Sequence, residues 1–288
     1  MLERVRLQPL TPGGVAACAF GPLGWALLLQ LLMALLAGGA VVWFLARAWC
    51  PVIGQAIGQL PERGEIRGQR LCINGPPPGL LAANQYLALT VALGQEPAQV
   101  SQADLVVVFR TEGIELCTLV GCLKLVYPAG YVIQFNRPEL LPWWGAWRPV
   151  LLGGSGAAIG LGGLVLWNIV ATVYAVVLRL VPRRLRRALT LGAGWKLASA
   201  ALVPGALLLV AGLILYGLGV VDWLRLGLIV AFHILLGWIY ILTALPLLPQ
   251  GPPKPRTSSN PFAPPPSPDS TGPDTEPAGS QPAESKRG

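Results

Sequence analysis

Charged residues are scarce in this chain of 288 residues. They make up 12% of it, whereas an ordinary soluble domain contains about 25%. Hydrophobic residues make up 53%, which is more than a soluble core and its surface require. The composition therefore excludes an ordinary soluble enzyme and indicates a chain that lives in a membrane.

Histidine is nearly absent as well, since His233 is the only one. The sequence contains no Walker loop, no His-Glu-x-x-His, no Cys-x-x-Cys and no dinucleotide fingerprint after a strand. The basic residues are not interleaved with aromatic ones, which argues against nucleic-acid binding. We therefore predict no cofactor, no metal site and no nucleic-acid partner.

Long apolar stretches are what the chain has in abundance. Four of them, each near the roughly 20 residues that cross a bilayer, occupy residues 24–45, 157–178, 197–220 and 224–245. Because hydrocarbon offers backbone groups no hydrogen-bond partner, all four should be helices. The predicted fold class is an α-helical membrane protein with four transmembrane helices, one followed by three, a small extracytoplasmic β-rich insert and a disordered C-terminal tail.

The predicted organisation follows from these stretches. Residues 1–23 form a cytoplasmic lead-in, residues 24–45 the first transmembrane helix, residues 46–148 the β-rich domain, residues 149–246 a three-helix region and residues 247–288 a tail rich in proline. The tail is too poor in apolar residues to offset the entropy of ordering, so we expect it to be disordered.

The positions of the basic residues predict the orientation of the chain in the membrane. Between Arg179 and Lys196 there are six basic residues and no acid, and such a loop is typical of the cytoplasmic side. Both termini should then be cytoplasmic and residues 46–148 extracytoplasmic, in a membrane of the bacterial inner-membrane type. The same cluster is a candidate contact for anionic lipid headgroups, through Arg183, Arg184, Arg186 and Arg187.

The insert is rich in short runs of β-branched and aromatic residues separated by turn residues. The last four runs, residues 104–110, 114–118, 123–127 and 131–135, predict an antiparallel meander. Cys117 and Cys122 would face each other across a turn, which makes a disulfide one reading and two buried thiols another.

One catalytic hypothesis combines Ser155 with His233. Gly153, Gly154, Ser155 and Gly156 are similar to the Gly-x-Ser-Gly motif of the rhomboid intramembrane serine proteases, whose base is a histidine on a later span. A serine hydroxyl needs such a base to become a nucleophile. Rhomboids have six core helices and further oxyanion-binding residues, and neither has a counterpart in this sequence.

In whole architecture the chain resembles uncharacterised bacterial polytopic membrane proteins, including a group described as maltodextrin-utilisation-associated. The resemblance is carried by Leu60-Pro61-Glu62-Arg63-Gly64-Glu65-Ile66, by the strand pair of residues 104–118 and by the spans that follow. It implies an extracytoplasmic β-rich insert between helices, and it implies no catalytic site.

These observations favour a non-enzymatic accessory, sensing or assembly factor that presents the β domain at the membrane. A small oligomeric transporter or channel is the alternative, and an intramembrane serine hydrolase using Ser155 and His233 is a third. The expected partners are the lipid bilayer and either another membrane protein or further copies of this chain.

Overall fold

Four long apolar helices dominate the protein, one before a β-sheet region and three after it. The computed structural model describes residues 8–76, 78–94, 102–180 and 189–249. The helices are α2 (Leu23–Phe44), α4 (Arg137–Leu180), α5 (Leu191–Gly217) and α6 (Trp223–Ala244). Each is long and apolar enough to cross a membrane, so the chain is a multi-pass membrane protein in contact with lipid. The tail and residues 181–188, with the arginine cluster, lie outside the described residues.

Small residues let the helices approach closely. At Gly38 of α2 an added Cβ atom would lie 2.6 Å from the backbone oxygen of Gly156 on α4. An added Cβ at Gly160 would lie 3.2 Å from the backbone oxygen of Ala34, so α2 and α4 run antiparallel along a glycine-lined seam. A Cβ atom added at Gly205 of α5 would likewise clash with the backbone oxygen of His233 on α6. Such close approach is how helices associate where lipid offers no hydrophobic drive.

Two shorter helical pieces extend the first span at both ends. α1 (Pro12–Cys18) starts at a Thr11 cap and packs its fully buried Val15 into the core of the helical bundle. Beyond α2 the chain passes through a π-helical turn, Leu45–Trp49, into α3 (Cys50–Gly58), which packs on the sheets. The burial of Cys18 at the end of α1 raises the pKa of its thiol.

Helix α4 is longer than its apolar run. It starts at Arg137, well before residue 157, and includes Pro142 and Pro149. The part that precedes the apolar run packs on α3, where Trp144 lies 3.7 Å from the position of a Cβ added at Gly54. Hydropathy marks only the length that matches hydrocarbon, so it cannot detect a helix that continues into the β region.

The described residues of the β region form two sheets. One has the order β2-β1-β8 and the other β3-β4-β5-β6-β7. The strands are β1 (Gly64–Arg67), β2 (Arg70–Ile73), β3 (Gly79–Ala83), β4 (Leu87–Val91), β5 (Leu105–Phe109), β6 (Gly113–Thr118), β7 (Gly121–Val126) and β8 (Ile133–Gln134). Every residue of β4 is buried, and the apolar face of the larger sheet packs on α3 around Val52 and Ala56.

The predicted four-strand meander is wrong in its last member. β5, β6 and β7 are antiparallel neighbours, but β8 pairs with β1 in the other sheet, Glu65 opposite Gln134. β1 has no clear strand pattern in the sequence, because Gly64–Arg67 is short and half charged. β4 and β5 are parallel, which needs a crossover connection that proximity in sequence does not suggest.

Candidate functional site

The two residues of the catalytic hypothesis do not meet. The Ser155 hydroxyl donates to the Leu151 carbonyl oxygen of its own helix at 2.7 Å. His233 is 4% exposed, and its Nδ1 contacts the Val230 carbonyl, also on its own helix. Each side chain thus bonds to its own helix backbone, and no described contact joins the two.

The level of each residue along α4 explains the separation. The Tyr174 hydroxyl donates to the Ile234 carbonyl oxygen at 3.0 Å, so the neighbourhood of His233 lies level with Tyr174. Ser155 precedes Tyr174 by nineteen residues on one continuous helix. At 1.5 Å per residue this is about 28 Å along the helix axis. General-base catalysis needs hydrogen-bond reach, which this arrangement excludes.

The two cysteines of the β6–β7 hairpin do meet. Cys117 and Cys122 form a disulfide with their Cα atoms 4.0 Å apart, and they are directly opposite in the strand register. Cys18 and Cys50 are buried thiols, and Cys72 is an exposed one. Among the described residues, no three His, Cys, Asp or Glu side chains are grouped so as to hold a metal ion.

A set of polar and aromatic residues joins the larger sheet to the ends of the helices. The Tyr86 hydroxyl donates to the Tyr216 carbonyl oxygen at 2.8 Å, and the Tyr216 hydroxyl donates to Asp104 Oδ2 at 2.6 Å. Nearby, Asn84 Nδ2 donates to the Ala48 carbonyl oxygen at 2.6 Å. These three hydrogen bonds connect the start of β4, the start of β5 and the loop before β4 to the π-helical turn that follows α2 and to α5. We call this set, together with Phe44, the sheet–helix joint.

The aromatic rings of the joint form a buried cluster. The ring centroid of Phe44 lies 5.3 Å from those of Tyr86 and Tyr216, and the two tyrosine rings are 5.0 Å apart. All three residues are at most 8% exposed. Edge-to-face pairs of this kind stabilise by about 0.5–1.5 kcal/mol beyond the burial of area. The sheet is therefore held to the bundle by packing as well as by hydrogen bonds.

Local structure positions each group of the joint. Asn84 Oδ1 accepts from the backbone N–H groups of Tyr86 and Leu87, both at 2.9 Å, which fixes the turn into β4. The Asp104 N–H donates to the Gln85 carbonyl oxygen at 3.0 Å, which fixes the start of β5 beside it. Tyr216 is in the last turn of α5. The joint thus depends on residues that are far apart in the sequence, and no sequence motif indicates it.

A cavity of about 360 Å³ opens beside the joint. Its polar lining comes from both sides, namely Gln85, Gln102, Asp104, Tyr216, Asp222 and Arg225. Arg225 forms an ion pair with Asp222 at 3.4 Å, and Asp222 also caps α6 by accepting from the Arg225 N–H. The lining offers hydrogen-bond donors and acceptors for a small polar ligand or water.

A second cleft lies at the opposite end of the larger sheet, with Arg110, Glu115 and Lys124 in its lining. Glu115 bonds to Arg110 at 3.2 Å and to Lys124 at 3.3 Å. Burial acts to raise the pKa of Glu115, but the two cations outweigh it and hold that pKa below its usual value. Burial raises the pKa of Tyr127 to about 12, and its hydroxyl donates to the Arg110 carbonyl oxygen. These groups are paired with one another, which indicates a structural role.

Inside the helical bundle one buried polar pair links two spans. Gln30 Nε2 of α2 donates to Ser199 Oγ of α5 at 3.0 Å, and both residues are at most 3% exposed. Gln30 Oε1 is buried without a partner and borders a void of about 10 Å³, which is room for one water molecule.

No protein-family model, curated protein or solved structure matches this chain. The described residues form a multi-pass membrane protein whose β region is fixed to its helices by the sheet–helix joint.

Proposed function

We propose that this protein is a non-enzymatic accessory, sensing or assembly factor that presents its β region on the extracytoplasmic face of the membrane. The orientation is supported by the excess of basic residues between α4 and α5, which the positive-inside rule assigns to the cytoplasm. The β region is attached to the opposite ends of the same helices.

The observation that carries the proposal is the sheet–helix joint. Tyr216 is buried, belongs to a transmembrane helix and bonds to both Tyr86 and Asp104. A plain tether needs no such contacts, because a flexible linker would hold a domain at the membrane equally well. A fixed joint makes the position of the sheet depend on the position of α5. Binding at the β region and packing within the membrane are then energetically coupled.

The two other candidate activities receive less support. A serine hydrolase would need Ser155 and His233 within hydrogen-bond reach, and about 28 Å of helix lies between their levels. A transporter would need polar groups along a path, whereas the Gln30–Ser199 pair encloses room for one water molecule only.

Reporter fusions test the orientation. A reporter inserted at Gly113, the first residue of β6 after the β5–β6 turn, should be active on the extracytoplasmic side. A reporter inserted at Pro273 should be active in the cytoplasm. The opposite pattern, or the same side for both, would show that the proposed orientation is wrong.

Affinity capture from native membranes tests the role. We expect the full chain to retain a specific membrane-protein partner, identified by mass spectrometry, and Tyr131→Phe to retain it equally. Tyr216→Phe should retain less of it, because the sheet is then held less firmly. Solute flux through liposomes that contain only this protein would overturn the proposal. So would a proteolytic activity of the purified protein that Ser155→Ala abolishes.

A further inference from the structure

The turn between β6 and β7 exposes two large apolar side chains. Leu119 is 78% exposed and Val120 is 92% exposed, the highest value among the large hydrophobic residues that the structure describes. We call these two residues the hairpin tip. Leu123 follows on β7 at 59% exposure. No charged residue lies between Glu115 and Lys124, so water solvates this turn poorly.

Strand register places the hairpin tip at the membrane end of the sheet. Leu105, the first residue of β5, pairs with Thr118 of β6, which pairs with Gly121 of β7. Asp104, directly before Leu105, bonds to Tyr216 at the end of α5. With strands about 4.8 Å apart, the hairpin tip lies roughly 10 Å to the side of the joint, at the same end of the strands.

That end of the sheet lies at the expected boundary of the hydrocarbon layer. α2 has 22 residues from Leu23 to Phe44; the helical chain continues to Gly58, and the first charged residue after α2 is Arg47, three positions beyond Phe44. At 1.5 Å per residue α2 is about 33 Å long, close to the thickness of a hydrocarbon core. Its last residue, Phe44, packs against Tyr216. The level of the joint is therefore the boundary between hydrocarbon and headgroups, and the hairpin tip lies at the same level.

The hairpin tip is beside the helices, not on top of them. A helix end beneath Leu119 or Val120 would bury them, and both are almost fully exposed. The space beside a transmembrane bundle at this level is occupied by lipid. Transfer of the two apolar side chains from water into that lipid is favourable, because it removes apolar surface from water.

The turn is also ordered before it meets any lipid. The Cys117–Cys122 disulfide closes it, and the Val120 N–H donates to Thr118 Oγ1 at 3.3 Å. Insertion of an ordered turn costs less conformational entropy than insertion of a flexible loop.

We propose that the hairpin tip, Leu119 and Val120, inserts into the interfacial layer of the lipid leaflet next to the β region. It attaches the far edge of the larger sheet to the bilayer, as the joint attaches the near edge to the helices. This holds for either orientation of the chain, because it depends only on the helix ends that carry the sheet.

A depth measurement tests the insertion. An environment-sensitive dansyl amino acid replaces Val120 in one variant and Glu112 in the other, and each full-length protein is placed in nanodiscs with one protomer per disc. Glu112 lies in the turn at the opposite end of β6 and is the matched control. We expect emission at position 120 to shift to shorter wavelength and to be quenched by nitroxide-bearing phosphatidylcholine. Emission at position 112 should show neither effect.

Equal emission and equal quenching at both positions would overturn the proposal. A shift at position 120 that appears only in crowded liposomes, and not in single-protomer nanodiscs, would also overturn it and assign the hairpin tip to a second copy of the chain. Leu119→Ser combined with Val120→Ser provides an independent readout without a probe. Amide exchange in β6 and β7 should become faster in nanodiscs but stay unchanged in detergent solution; no change in nanodiscs would count against insertion.

Discussion

Replacement of Tyr216 by phenylalanine removes one hydrogen bond from the sheet–helix joint and leaves its rings in place. The lost bond joins the Tyr216 hydroxyl to Asp104 Oδ2 at 2.6 Å. Hydrogen bonds to charged groups contribute about 1.5–3 kcal/mol. Asp104 is half-buried, so water can replace the lost donor in part. We therefore expect a cost near the lower end, about 1.5 kcal/mol.

Hydrogen exchange at two backbone amides measures this cost directly. The Asp104 N–H donates to the Gln85 carbonyl oxygen and the Leu105 N–H to the Tyr86 carbonyl oxygen, so both amides exchange only when the strand ends separate. A loss of about 1.5 kcal/mol raises the population of the open state, and thus the exchange rate, roughly tenfold. The measurement is made on the protein in nanodiscs.

Tyr131→Phe is the matched control, since Tyr131 is 68% exposed in the same β region. Its exchange rates should equal those of the unchanged protein. Asp104→Asn keeps an acceptor oxygen and should fall between the two. If Tyr216→Phe exchanges no faster than Tyr131→Phe, then the joint does not hold the sheet and the coupling argument fails.

Three further predictions concern the helices and the second cleft. Gly38→Ala should destabilise the bundle by about 1–3 kcal/mol in thermal unfolding, because its Cβ would lie 2.6 Å from the Gly156 backbone oxygen. Ser199→Ala should cost about 1–2 kcal/mol, because the buried Gln30 amide loses its acceptor. Glu115 has a lowered pKa when folded, so its contribution to stability is present above the ordinary glutamate pKa of about 4.3 and is lost as pH falls through the folded value.

Each of these has its own check. Gly162→Ala, where an added Cβ meets nothing within 4 Å, should leave the unfolding temperature nearly unchanged, and an equal loss at both glycines would contradict the packing argument. Gln30→Leu combined with Ser199→Ala should recover most of the loss caused by Ser199→Ala alone. Glu115→Gln should flatten the acid side of the stability curve, and an unchanged curve would mean that another carboxyl group causes it.

The helices were predictable because their signal is local. About 20 consecutive apolar residues suffice to indicate a span, whatever the rest of the chain does. The facing positions of Cys117 and Cys122 are local in the same sense, since a short turn sets the register of its two strands. The strand content of the insert was visible in part for this reason, although β1 and β3 were missed.

The arrangement of these elements was not predictable. β8 pairs with β1, and β4 pairs in parallel with β5. The amino-acid sequence of a strand does not indicate which other strand it pairs with. The relative depth of Ser155 and His233 depends on the tilt of their helices, which the sequence does not specify. The Tyr174 to Ile234 contact shows instead which parts of α4 and α6 are level.

The amino-acid sequence by itself determined that this chain crosses a membrane with four helices, one and then three, around a β region. The hydrocarbon layer of a bilayer requires long apolar helices, and the sequence contains four stretches that can form them. Only the tertiary structure decided what the β region is attached to. The joint connects Tyr86 to Tyr216 across 130 residues, and the hairpin tip reaches the membrane level only through the register of three strands. Contacts between residues so far apart in the sequence arise from the packing of the whole fold. No periodicity in the sequence indicates them.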